Sequence, residues 1–121
     1  MAVKSITVTE SPNGNDNAAL VAWSALTNTG SDTGTPWEAA DFADCTVQFG
    51  GTFGAGGTVV LEGSNDGSTY ATLTDSAGSA ISITAAGVKL VSEKPRYIRP
   101  RVSAGDGTTS ITVTMYARRN R

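Results

Sequence analysis

The stretch Thr58-Val-Val-Leu-Glu-Gly-Ser64, its turn Asn65-Asp66-Gly67 and the later basic stretch Arg96-Tyr-Ile-Arg-Pro-Arg-Val102 decide the fold. Strand side chains alternate, so Glu62 marks its own side and that of Val60 as the wet face and sends Val59 and Leu61 inward. In the basic stretch Ile98 and Val102 go inward, while Tyr97, Arg99 and Arg101 stand together on the other side. Pro100 has no N–H to give a ladder, which predicts an edge strand or a bulge there. Three short β-rich runs, Thr69 to Leu73, Ile81 to Thr84 and Val88 to Val91, fill the interval.

The same alternation extends outward from this centre. Val3 to Thr9 reads as a first strand or arm within residues 1–10, with Ile6 and Val8 able to face a core and the whole segment suited to pairing with a neighbouring subunit. The turn formers of Ser11 to Asn17 interrupt it. Ala18 to Leu26 is apolar on both faces around Trp23, as in a strand covered on both sides or a short buried segment. Asn28 to Thr35 is a polar loop, and Pro36 can begin one turn of helix that points Trp37 inward. Cys45, Val47 and Phe49 alternate in the next strand and make Cys45 a small core residue. Thr109 to Ala117 makes the last strand, with Ile111, Val113 and Met115 on one face and Thr112, Thr114 and Tyr116 on the other. The basic tail 118–121 follows.

These runs predict an all-β chain: one jelly-roll-like antiparallel β-sandwich of about eight strands spanning residues 1–121, with at most one short helical turn. A domain of 121 residues buries roughly two thirds of its unfolded surface, enough for a core without disulfides or metal. One cysteine makes no disulfide framework, and no apolar run follows the Met1-Ala-Val-Lys4 start. Assembly in a reducing cytoplasm, with no membrane span, is the expectation.

The chemistry points away from catalysis. With no histidine, the Ser/His and Cys/His nucleophile pairs and most zinc sites are excluded, and no Ser-x-x-Lys spacing is present. The glycine-rich segment Gly50 to Gly57 fails as a phosphate loop because Gly57 occupies the lysine position, and serves better as a hairpin connection. The oxygen-rich turns at Asn13 to Asn17 and Asn65 to Gly67 lack a calcium-loop pattern. Neither a cofactor nor a metal is expected. Charge is divided unevenly: residues 1–75 hold Lys4 against nine acids, and residues 76–121 hold eight bases against Glu93 and Asp106. Either the C-terminal part docks on an acidic surface, or the strands mix in space what is separated in sequence. The acidic balance of the whole argues against nucleic acid as a partner.

The run Val60 to Tyr70, the Arg96 to Val102 strand and the closing Ile111-Thr-Val-Thr strand together resemble the small head-decoration (cement) proteins of tailed bacteriophages. That resemblance implies a sandwich on the outside of the virion's capsid, as a homo-dimer or homo-trimer, clamping neighbouring major capsid subunits. The contact residues expected from it are Val3, Ile6 and Val8 for pairing, Arg96, Arg99, Arg101, Arg118 and Arg119 for acidic capsid surface, and Trp37 as an apolar anchor. A second resemblance, through the Gly-Ser-Asn-Asp-Gly turn and the Arg-Tyr-Ile-Arg strand, is to discoidin-type sugar- or lipid-binding modules; as a carbohydrate-binding module the chain would form a shallow sugar site from Tyr70, Trp37 and the loop acids. A tail or baseplate subunit with the same sandwich is the third alternative.

Overall fold

The computed structural model describes residues 3–10, 17–29, 32–39 and 42–119. In chain order their strands are β1 (Val3–Lys4), β2 (Ile6–Glu10), β3 (Ala18–Leu26), β4 (Thr33–Gly34), β5 (Trp37–Glu38), β6 (Asp44–Thr52), β7 (Thr58–Ser64), β8 (Ala71–Thr72), β9 (Ser82–Ile83), β10 (Gly87–Leu90), β11 (Tyr97–Ala104) and β12 (Ser110–Arg118). They form an antiparallel β-sandwich, with one parallel pair between β1 and β4. Sheet A runs β1-β4-β11-β7-β8, with β5 also on β11 and β9 also on β7. Sheet B runs β10-β6-β12-β3-β2. The expected helical turn after Pro36 is replaced by β5, which pairs Trp37 with Ile98 and Glu38 with Tyr97. Residues 40 and 41, most of the 11–17 loop and residues 120 and 121 of the tail lie outside the described residues.

The core lies between the sheets and follows from the alternation. Val59, Leu61, Ile98 and Val102 of sheet A meet Val21, Trp23, Val47, Phe49, Ile111, Val113 and Met115 of sheet B. Cys45 joins them, and burial pushes its thiol up to about 11, so it stays protonated and inert at neutral pH. Trp23 donates its indole N–H to the Thr35 carbonyl at 2.9 Å, which gives the buried ring its one polar partner. A Cβ at Gly34 would stand 2.5 Å from Trp23 Cδ1 and 2.7 Å from Pro100 Cδ. Only glycine lets β4 pass that close.

Three further expectations change. Val60 and Glu62 are buried, because β7 has neighbours on both sides and the arginine stems of β11 cross its outer face. Pro100 is on an inner strand: β7 flanks it on one side, and it lies opposite the gap between the short strands β4 and β5 on the other. The bulge of that strand falls at Val102 to Ala104. The glycine-rich segment is no hairpin either, since β6 belongs to sheet B and β7 to sheet A. Asp106 ties that crossing down, accepting the Ala55 N–H at 2.8 Å and the Thr108 hydroxyl at 2.7 Å. Those bonds, the Thr108 hydroxyl first, hold its carboxyl at about 2.

Candidate functional site

The outer face of sheet A carries the one dense charged cluster of the described residues. Arg99 is the direct cross-strand partner of Glu62, and Arg101 lies one pleat further on, opposite Val60. Cross-strand and diagonal neighbours on one face come within reach of long side chains, so both arginines meet the same carboxylate. Arg99 Nε donates to Glu62 Oε1 at 2.8 Å and Arg101 Nε donates to Oε2 at 3.2 Å. Glu62 is 4% exposed, whereas the two arginine side chains are 23% and 35% exposed. One buried acid thus anchors two half-buried bases and leaves the cluster with a net positive charge. Among the described residues neither guanidinium spends its Nη groups on a hydrogen bond, so those planar donors remain for a carboxylate from elsewhere.

Tyr70 completes the cluster from below. The Arg99 guanidinium carbon lies 3.8 Å from the centroid of its ring, and the Tyr70 hydroxyl is buried with no hydrogen-bond partner among the described residues. At the end of the row Arg96 stacks on Tyr97 at 5.1 Å and donates Nε to Glu38 Oε2 at 2.8 Å. The adjoining turn is built by Asp66, whose Oδ1 accepts the N–H groups of Ser68 and Thr69 and the Ser64 hydroxyl. These bonds, led by the one from Thr69, hold its carboxyl at about 2. Asn65 Oδ1 accepts the Arg96 N–H at 3.0 Å and fastens the turn to β11. The side-chain oxygens of this turn are therefore engaged in backbone geometry. Among the described residues no group of three or more His, Cys, Asp or Glu could hold a metal ion, and no helix is long and apolar enough to cross a membrane.

The division of charge along the chain disappears in space. Lys89, Arg96, Arg99, Arg101, Arg118 and Arg119 each form an ion pair with an acid from the first 75 residues. Arg118 holds Asp44 through two bonds of 3.1 and 2.9 Å, and Arg119 reaches Glu10 while lying over the Phe42 ring. Of the other expected contact residues, Trp37 is 6% exposed with its ring 5.2 Å from that of Phe42. It is a core residue and offers a partner no apolar surface. The shallow sugar site fails for the same reason, since the Tyr70 face is taken by Arg99. The N-terminal strand breaks at Ser5: Val3 belongs to β1 at the edge of sheet A, while Ile6 and Val8 belong to β2 at the edge of sheet B. Ile6 packs against the core, and Val8, beyond the cover of sheet A, is exposed.

Sequence reasoning missed a second surface. On the outer face of sheet B the register aligns Leu90, Thr46, Tyr116, Leu20 and Thr9 in one row. The next row is Val88, Gln48, Thr114, Ala22 and Thr7. Neither row contains a charge, and Val88, Leu90, Tyr116 and Leu20 are all exposed. The signal was in the alternation of threonines in β12, which marks a solvent-facing side without the usual lysines and glutamates.

No protein-family model matches the sequence, and no curated protein matches it. Solved structures do. The chain is similar to the SPBc2 prophage-derived protein YomS, with 12% identity and a TM-score of 0.59 over 83% of this chain and 93% of that one. It is also similar to part of Peruvianin-I, a cysteine peptidase from Thevetia peruviana latex, with 11% identity and a TM-score of 0.48 over 94% of this chain and 61% of that one. Coconut cocosin aligns over 96% of this chain and 26% of its own, with 13% identity and a TM-score of 0.47. At these identities the likeness is one of fold.

Proposed function

We propose that this chain is a non-enzymatic structural protein of a phage virion that binds the outside of the capsid and clamps neighbouring major capsid subunits. The observation that carries the reading is the Arg99–Glu62–Arg101 cluster: two guanidinium groups held at fixed spacing by one buried carboxylate, with their Nη donors unspent among the described residues. Such a fork binds acidic side chains without first losing arginine rotamer freedom. The resemblance of residues 60–70 and 96–102 to cement proteins supports the same reading, as does the prophage origin of the protein whose fold this chain shares over 83% of its length. Many copies, each adding a modest contact at a symmetry-related position, would stiffen a shell by repetition.

The test is co-sedimentation of the purified chain with undecorated heads of its source phage. Saturable pelleting at a constant ratio to capsid subunits is expected, weakening as ionic strength rises because the exposed guanidinium contacts are screened. Arg101→Gln keeps Arg99 to compensate Glu62, so it is expected to fold normally and to pellet less. Absence of pelleting at low salt would overturn capsid decoration and direct the search to tails and baseplates.

A further inference from the structure

We infer that the outer face of sheet B is a two-fold contact with a second copy of this chain, packed sheet against sheet. Three observations select that occupant. First, the face is uncharged over five strands, closed at one end by the neutral Arg118–Asp44 pair, while Lys89 turns the other way to Asp75. In an isologous contact residues near the axis face their own symmetry mates, so a charge there would meet its like. This face satisfies the condition and the arginine cluster of sheet A does not.

Second, the strand β3 has apolar residues on both faces, yet the chain covers one of them fully and the other only at its Ala18 end. Val21 and Trp23 are fully buried, while Leu20, on the other side, is 37% exposed and Ala22 beside it is half-buried. A sheet packed at roughly 10 Å from another would cover that second side. Leu20 and Tyr116 are direct cross-strand neighbours, and together they provide an aromatic and an aliphatic anchor of the kind that dominates interface energy.

Third, the dimensions suit a dimer. Five strands at about 4.8 Å spacing, the inner three of nine residues and the outer two of five and four at about 3.4 Å rise, project to roughly 600 Å² per copy, the lower end of the specific-interface range. A standard specific interface takes about 800 Å² from each partner. The ridges of Thr7, Thr46, Gln48 and Thr114 are short and even, so two such faces approach closely without burying an ion.

Sedimentation velocity from about 1 to about 100 μM is the test, in the range where an interface of this size associates. The wild-type chain is expected to sediment as a dimer at the upper end. Leu20→Asp with Tyr116→Asp is expected to raise the dimer Kd at least about 100-fold. Circular dichroism establishes whether that variant is folded. Thr114→Arg, a single change at a half-buried position in the middle of the face, gives an independent reading and is expected to weaken the dimer too. Arg101→Gln, on the opposite face, is expected to leave it intact. A wild-type chain that stays monomeric at the highest concentration overturns the proposal, even where Tyr116→Asp lowers pelleting with heads, which would assign the face to the capsid. A dimer that survives both sets of folded sheet B variants overturns it as well.

Discussion

The two outer faces of this sandwich solve the same problem in opposite ways. Sheet A covers its outer side with its own long side chains: the Arg99 and Arg101 stems meet at Glu62, Tyr70 lies beneath, and even Val60 is buried. Sheet B leaves its outer side flat, uncharged and open, with Leu20, Tyr116, Leu90 and Val88 in view. A face that has buried its own carboxylate depends on its charges for stability. A face without charges is free to take a partner.

The hardest test of that contrast is Glu62→Gln. Removing the shared acid leaves two half-buried arginines facing each other uncompensated. Breaking a buried pair costs about 3–5 kcal/mol, and partial exposure of the arginines lowers this to about 2–4 kcal/mol. A fall in Tm on the order of 10 °C or more is expected by calorimetry. An unchanged Tm would mean that the cluster is an ornament on the fold. The same logic predicts that replacing both arginines by alanine harms stability as well as binding, since Glu62 would then be buried alone.

Acid comes next, and it acts at the turns. Asp66 and Asp106 have folded values of about 2, below the ordinary value near 3.8. A depressed carboxyl contributes stability that is fully present above its unfolded value and is lost as pH falls through the folded one. Denaturant melts are therefore expected to weaken between about pH 4 and pH 2. Asp66→Asn should flatten that slope, and an identical slope in the variant would remove the turn as its source.

The smallest effect is expected on the open face. Thr114→Val changes no charge and removes no side-chain hydrogen bond among the described residues, so monomer stability should move by no more than about 0.5 kcal/mol in either direction. Salt sharpens the contrast: rising ionic strength should weaken head binding through the arginines and leave self-association through sheet B unchanged.

Much of the fold could be read in advance because strand alternation is local. The bounds Thr58 to Ser64 agree with β7, and the inward set Val59, Leu61, Ile98, Val102, Ile111, Val113 and Met115 is the core. The two-residue strands β4 and β5 carried no such signal: they sit in a polar loop and beside a proline, and they exist because β11 offers them an edge. The arginine row was visible, but its counter-ion was not, as Glu62 stands 37 and 39 residues away and looks in isolation like the mark of a wet face.

By itself, then, the sequence determined the class of the fold, the inward side of β6, β7, β11 and β12, the turn at Asp66 and the grouping of Tyr97, Arg99 and Arg101. These depend on a period of two and on side chains bonding to their own backbone, both set within a few residues. Only the tertiary structure decided which second faces were covered, where each arginine found its acid, and that β3 was left open on one side. Burial and ion pairing depend on what the neighbouring strand presents, and in this sandwich the neighbour is usually far along the chain.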